Sequence, residues 1–416
     1  MAFISLLDDR ARPKGSRDPL GFELIWTHFG RQVVGNLTTI TSSLENFTVA
    51  LLGFCWANEL AAQDPSPESQ AEIQKYFLRY EQMAAYLRFY QNSGSIMGKN
   101  RVARRIADQN TDISIDEKTQ QILSNQTSYG LWGLYSSALR DTGLIKGNKR
   151  QLTASGMEII ALLEARLDKC LFIDLLTSSS VTKQHLEAAS HDFLTAINHP
   201  DIQQTLLESL LLGSGGNRLQ QELWLKTRGI IQLGQLPDAG PDELPVYLAT
   251  LFDSHPSPDL QRALKWIIDI ERILTATNNI FHYCRMKDGE SIATIIQTLE
   301  DKQYGYGWLV DNLNGVDFPR KAELERILLA FKQGNYREAI QISLLLNKEV
   351  MSGRGGAPWV ELAGDKLRVT VKSETASLAE NGEALQKRWD YEYFLKSYLR
   401  IARHYQHQPS SGRLGV

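Results

Sequence analysis

Apolar residues recur at helical spacing along nearly the whole chain, and this periodicity most constrains the fold. In one segment Ser257 and Pro258 occupy N-cap and first-turn positions, and five apolar residues then follow a three-then-four spacing: Leu260, Ala263, Ile267, Ile270 and Leu274. Similar patterns cover residues 70–92, 182–196, 201–212, 217–233, 288–300, 320–333 and 383–404. The sequence therefore predicts a mainly α fold built from multi-helical bundle subdomains.

Composition and cysteine usage narrow the class of protein. The 416 residues are 43% hydrophobic and 22% charged, which excludes a disordered or fibrous chain. The longest apolar stretch, Val49–Ala57, is about half of what a membrane-spanning helix needs, so we expect no membrane span. The N-terminus lacks the pattern of a secretory signal. Because the three cysteines are odd in number and widely separated, we expect free thiols and a cytoplasmic location.

Residues 96–166 interrupt the helical pattern. They contain, in order, a short alternating segment (112–115), two helical segments (117–123 and 129–141), a basic turn between short apolar segments (146–150) and a third helix (157–167). This order resembles the winged helix-turn-helix superfamily, and its most specific piece is Gly143-Leu144-Ile145 followed by Leu152-Thr153. The resemblance implies a recognition helix at about residues 129–141 and a wing at residues 146–150.

Four domains follow from this pattern and from the loops rich in Pro and Gly, which end helices. They are an N-terminal helical domain (1–95), a winged-helix-like module (96–180), a central helical domain (181–345) and a C-terminal β-hairpin plus helix (346–416). The hairpin is predicted from alternation around Gly364-Asp365.

Positive charge is concentrated in the module. Residues 99–150 contain nine basic and five acidic residues, a net charge of +4 within a chain of −3. A protein that neutralises the phosphates of a nucleic acid needs its basic residues gathered in one region. The predicted nucleic-acid-binding residues are Lys99, Arg101, Arg104, Arg105, Arg140, Lys146, Lys149 and Arg150.

The composition of the predicted recognition helix argues against specific base reading. Residues 131–140 offer mostly apolar side chains and a single arginine, whereas readers of the major groove present Arg, Lys, Asn or Gln. Non-specific phosphate binding, a protein contact and a structural spacer all remain open for the module. A solvated helix face is the alternative for residues 99–105.

A run with three glycines, Ser352–Trp359, predicts a partner contact through Arg354 and Trp359, because Arg and Trp dominate interface hot spots. The alternative is a rigid loop that buries Trp359. Glu361 and Asp365 superficially resemble nuclease carboxylates, but their position beside a hairpin turn also accounts for exposed charges. We find no catalytic motif, and we expect no cofactor and no metal site.

These observations favour a non-enzymatic helical adaptor or scaffold in a multi-protein assembly that acts on nucleic acid. A bacterial DNA-maintenance or anti-phage defence system is the expected setting. We expect the protein to bind other protein subunits, and DNA or RNA through non-specific phosphate contacts. We expect no membrane contact. The alternatives are a stand-alone winged-helix DNA-binding regulator and a nuclease or other hydrolase whose active site comes from distant residues.

Overall fold

The computed structural model describes residues 14–63, 70–108, 110–212, 217–373 and 377–405. The helices are α1 Glu23–Val33, α2 Leu44–Gln63, α3 Gln70–Tyr90, α4 Lys99–Ala107, α5 Gln126–Tyr129, α6 Leu131–Leu134, α7 Ser136–Asp141, α8 Ala154–Glu164, α9 Lys169–Thr177, α10 Lys183–Ile197, α11 Pro200–Leu212, α12 Arg218–Gln232, α13 Glu243–Asp253, α14 Pro258–Cys284, α15 Ile292–Asp301, α16 Lys321–Lys332, α17 Tyr336–Gly353, α18 Gly382–Gln386 and α19 Leu395–Ala402. The predicted mainly α fold is confirmed.

Within the described residues, six short strands form three antiparallel pairs. The strands are β1 Asp112–Ser114, β2 Ile145–Lys146, β3 Gln151–Leu152, β4 Ser180–Thr182, β5 Val360–Ala363 and β6 Lys366–Val369. β1 pairs with β4, β2 with β3, and β5 with β6. The predicted C-terminal hairpin is confirmed as β5–β6, where Val360 lies opposite Val369 and Ala363 opposite Lys366. Among the described residues, no helix is both long and apolar enough to cross a membrane.

The chain divides into two compact units, each made of segments that are separated in sequence. The first unit comprises the described parts of Met1–Gln32, Pro237–Phe252 and Ser257–Tyr393. The second comprises the described parts of Val33–Leu236, Asp253–Pro256 and Phe394–Val416.

The first unit is organised around α14. The Ser257 hydroxyl accepts the Leu260 backbone N–H, 3.3 Å away, which confirms the predicted N-cap. The five residues of the predicted apolar stripe, Leu260, Ala263, Ile267, Ile270 and Leu274, are all buried. α16 and α17 form a helical hairpin that packs on α14. Its connection contains Gly334, whose φ of +65° suits the left-handed region that glycine tolerates.

The second unit is organised around α2 and α3, which pack along each other. α2 is buried on all sides between Asn46 and Ala57, as expected for a helix that is apolar around its circumference. The rings of Phe54 on α2 and Phe77 on α3 stack with their centroids 4.4 Å apart. This aromatic contact supports the module described below.

Three predicted helices differ from those observed. Residues 117–123 form turns, because the Asp116 carboxylate accepts the backbone N–H groups of Lys118 and Thr119. The predicted helix 129–141 is divided into α5, α6 and α7, and the predicted helix 383–404 into α18 and α19. In the second case Tyr393 and Phe394 have φ values of +47° and +61°, which a right-handed helix cannot include.

Candidate nucleic-acid interface

The apolar side chains of α6 and α7 hold these helices against α2 and α3. The Trp132 ring lies 5.6 Å from Phe54 and 5.3 Å from Phe77, centroid to centroid, and the Tyr135 ring lies 4.8 Å from Phe47. The apolar composition that argued against base reading is therefore explained by burial in the core.

The outer face of the same helices carries small and polar side chains. Gly133, Ser137 and Arg140 are exposed, and Tyr129 keeps 61% of its surface. The positive charge that this face presents is that of Arg140.

A buried carboxylate fixes the start of α6. Glu81 of α3 accepts the backbone N–H of Leu131 at 2.7 Å and the Gln126 side-chain amide at 2.9 Å. Burial raises the pKa of Glu81 to about 7. Gly130 leaves room for this contact, since a Cβ there would lie 2.6 Å from the Glu81 oxygens. The orientation of α6 is thus set by α3.

The β2–β3 hairpin places the predicted wing at the surface. Lys146, Gly147 and Asn148 are exposed, while Lys149 and Arg150 are half-buried. The Asn58 side-chain amide of α2 donates to the Lys149 carbonyl at 3.2 Å and anchors the tip. The hairpin is therefore anchored at its tip and exposes the side chains of Lys146 and Asn148.

The Arg150 guanidinium lies 3.7 Å from the centroid of the Trp132 ring. Its Nη1 donates to the Asn148 carbonyl at 2.9 Å, and its buried Nε has no hydrogen-bond partner among the described residues. Burial, and then the positive charge of Arg140, lower the pKa of Arg150 to about 10. We name Arg140, Lys146, Lys149 and Arg150 the hairpin cluster. An anion beside Arg140 and Arg150 would relieve their repulsion.

The basic residues of α4 form a second group, the α4 cluster: Lys99, Arg101, Arg104 and Arg105. Arg105 donates to the Tyr86 hydroxyl at 2.8 Å and to the Gln120 and Gln121 carbonyls at 2.6 and 3.2 Å. Arg101 donates to the Gln121 carbonyl at 3.3 Å. Lys99 and Arg104 are exposed. Arg101 and Arg105 thus support the turns at 117–123, and the exposed charge of this cluster belongs to Lys99 and Arg104.

The strand β1 pairs with β4 rather than with the hairpin strands, so the module is joined to the α9–α10 region by this pair. Ile113 lies opposite Val181, and both side chains are buried. The resemblance to the winged helix-turn-helix superfamily stays a prediction.

Trp359, predicted as a partner anchor, lies in the core of the first unit. It is 5% exposed, its Nε1 donates to the Lys14 carbonyl at 2.9 Å, and the Arg285 guanidinium lies 4.5 Å from its ring centroid. This matches the alternative of a rigid loop that buries the tryptophan. Arg354 is exposed and donates to the Ser16 hydroxyl, so the partner-contact prediction now rests on Arg354.

The two residues considered for a nuclease site, Glu361 and Asp365, stabilise the C-terminal hairpin through different contacts. Glu361 forms an ion pair with Arg368 across the β5–β6 pair. The Asp365 carbonyl accepts the Ile292 backbone N–H at 2.8 Å, which ties the hairpin turn to the start of α15. The Glu361 side chain thus links the two strands of the hairpin, and the Asp365 backbone attaches the hairpin to α15.

A cluster of potential metal ligands that sequence reasoning missed lies in the second unit, formed by Cys55, Glu59 and Glu164. The Lys169 ammonium lies 2.7 Å from Glu59 and 2.8 Å from Glu164, and the Trp56 indole donates to Glu164 at 2.8 Å. Burial raises the pKa of the Cys55 thiol well above its usual range, which disfavours the thiolate that metals bind. The cluster is an ion-pair network.

Comparisons with protein-family models, curated proteins and solved structures give no match to this chain.

Proposed function

We propose that this protein is a non-enzymatic, cytoplasmic helical adaptor of a multi-protein assembly that acts on nucleic acid. The hairpin cluster contacts the sugar-phosphate backbone, and exposed surfaces such as that around Arg354 contact partner subunits. A bacterial DNA-maintenance or anti-phage defence system is the proposed setting.

One observation carries the nucleic-acid part of this proposal, which is the uncompensated charge of Arg140 and Arg150. Each guanidinium lacks an ion pair with any described residue, and burial, together with the positive charge of Arg140, lowers the pKa of Arg150. A phosphate group supplies the missing negative charge. Lys146, exposed on the adjoining strand, extends the contact along a polyanion.

The module does not need to read sequence to serve such an adaptor. Phosphate contacts fix position and orientation on a nucleic acid, whereas specificity needs polar side chains at base edges. The exposed face of α6 and α7 offers Gly133 and Ser137 beside Arg140, so backbone contact is the interaction that suits it best.

The decisive experiment is a fluorescence-anisotropy titration of the full chain with labelled duplexes of several sequences and with single strands. Arg140→Glu plus Lys146→Glu removes two exposed members of the hairpin cluster and should weaken binding to all sequences alike. The matched control is Arg262→Glu plus Lys387→Glu, which makes the same formal change of charge at side chains that are 69% and 74% exposed in the first unit. Equal loss in both variants would contradict a local interface.

The rival functions predict other results in the same preparation. A stand-alone regulator would prefer one duplex sequence strongly over the others. A nuclease would cleave DNA or RNA in the presence of a divalent metal, and Glu361→Ala or Asp365→Ala would abolish the cleavage. The adaptor proposal expects weak, salt-sensitive binding without cleavage.

A further inference from the structure

A polar stripe runs along the C-terminal half of α14 in the first unit, where most of the helix is buried. Thr275, Asn278, Asn279 and His282 recur at helical spacing and share one face. Thr275, Asn278 and Asn279 are 2%, 8% and 4% exposed. All four line a cavity of about 710 Å³. Buried polar side chains that face a cavity, rather than the core, are what a small-molecule site requires.

Three guanidinium groups surround this cavity: Arg17, Arg285 and Arg388. Arg285 donates to the Val371 and Lys372 carbonyls, each at 3.1 Å, and Arg388 donates to the Ser377 carbonyl at 3.0 Å. None of the three forms an ion pair with a described residue. Burial lowers the pKa of Arg285, which reflects the cost of keeping its charge without a counter-ion.

The neutral side chains of the stripe add hydrogen-bond donors. The Asn279 Oδ1 accepts from the Ala379 N–H and from Arg388, each at 3.0 Å, and this fixes the orientation of its amide. His282 faces Arg285 through Nδ1, 3.1 Å from its Nη1, so the proton of the neutral ring lies on Nε2. Burial, and then Arg285, lower the pKa of His282 to about 4, which keeps the ring neutral.

One carboxylate balances the positive charge of the three arginines only in part. Among the described residues that line the cavity, Asp390 is the only acidic one, and it accepts the Asn278 amide at 2.7 Å. Trp389 precedes it, is half-buried and also lines the cavity. The site therefore combines excess positive charge, one carboxylate acceptor and an aromatic ring.

We propose that this cavity binds a small phosphorylated molecule with a planar ring, of the class of the nucleoside monophosphates. The phosphate accepts from Arg388 and Arg285, because planar guanidinium groups match the geometry of phosphate oxygens. The ring packs on Trp389, and Asp390 accepts from an amino or hydroxyl group of the ligand. The cavity volume lies within the range of about 300–1,000 Å³ typical of such sites.

The test is isothermal titration calorimetry of the full chain with adenosine monophosphate, inorganic phosphate and adenosine. We expect adenosine monophosphate to bind with a Kd below about 1 mM, and more tightly than either of its parts. Arg388→Gln should weaken this binding about tenfold or more, because it removes charge-assisted hydrogen bonds. Arg262→Gln, which alters an exposed arginine outside the cavity, should leave the Kd within about twofold, as a surface change does.

Arg17→Gln provides a second test if Arg388→Gln fails to fold, because Arg17 is exposed and lies at the edge of the cavity. Absence of binding by adenosine monophosphate would overturn the proposal, as would equal affinity for adenosine or an unchanged Kd in both variants. Arg140→Glu plus Lys146→Glu should leave this binding unchanged, which separates the cavity from the nucleic-acid interface.

Discussion

The salt dependence of nucleic-acid binding gives the sharpest test of the hairpin cluster. Each basic side chain that neutralises a phosphate contributes about −0.9 to the slope of log K against log salt concentration. The four members of the cluster therefore predict a slope of about −3.6 for duplex DNA. Replacing Arg140 and Lys146 by glutamine leaves two members and predicts a slope of about −1.8. Because both side chains are exposed, the substitutions should change stability by less than about 0.5 kcal/mol.

These slopes correspond to large differences in affinity. Between 50 and 200 mM salt the wild-type protein should lose affinity about 150-fold, and the double variant only about 12-fold. The measurement is anisotropy of a labelled duplex at four or more salt concentrations, with the melting temperature of each variant as a check on folding. The control, Arg262→Gln plus Lys387→Gln, should keep the wild-type slope. A double variant whose slope equals that of the wild type would refute the assignment of Arg140 and Lys146 to phosphate contact.

Three further substitutions test the structural roles of charged groups. Arg105→Ala should lower the free energy of unfolding by about 1–3 kcal/mol in urea titrations, because it removes the donor to the Gln120 carbonyl and to the Tyr86 hydroxyl, and an unchanged midpoint would contradict this role. Burial raises the pKa of Glu271 in the folded protein to about 8, compared with 4.5 in the unfolded chain. Between these two pH values the unfolded chain has lost the proton and the folded protein still holds it, so stability falls as pH rises. Glu271→Gln should make that slope shallower in melting curves recorded from pH 5 to 8, leaving the part due to Glu81, and stabilise the protein at pH 8 by up to about 4 kcal/mol; a slope equal to that of the wild type would contradict the assignment. Arg150→Lys keeps the charge but loses the planar contact with Trp132, so it should lower stability by about 1 kcal/mol while the salt slope of DNA binding stays the same, and a reduced slope would contradict this separation.

Local signals made much of the fold predictable. The α14 cap and its apolar stripe depend on residues within a few turns of each other, and both predictions are confirmed. The predicted helix 383–404 was wrong in its middle because apolar residues continue through it, without a proline to mark the break. The left-handed conformations of Tyr393 and Phe394 come with nearly complete burial of both side chains, which tertiary packing decides.

The candidate site was predictable in its charge but not in its exposure. Lys146 and Arg140 are at the surface, as a phosphate contact requires. Trp359 shows the opposite outcome, since its indole is covered by Lys14, which is distant in sequence. Long-range contacts of this kind leave no pattern in the residues around the tryptophan.

The sequence contains a pattern that corresponds to the polar lining of the cavity. Thr275, Asn278, Asn279 and His282 continue the helical spacing of α14 after the apolar stripe ends at Leu274, but with polar side chains. A polar stripe on an isolated helix is indistinguishable from a solvent-facing one. Only the fold shows that all four line a cavity and that Thr275, Asn278 and Asn279 are buried.

The number of basic residues in a sequence therefore overstates the number of N–H donors that remain for direct contact with a ligand. Of the eight basic residues predicted to bind nucleic acid, Arg101 and Arg105 donate to carbonyls at the turns, and Arg150 stacks on Trp132. An arginine committed to carbonyl acceptors still carries its full charge, because these acceptors are neutral. It contributes to the field at a distance but has fewer N–H groups for direct contact. Charge reversal at Arg150 would therefore change both the stability of the protein and its affinity for nucleic acid. Arg140 and Lys146 are exposed, so substitutions there change the affinity with little effect on stability.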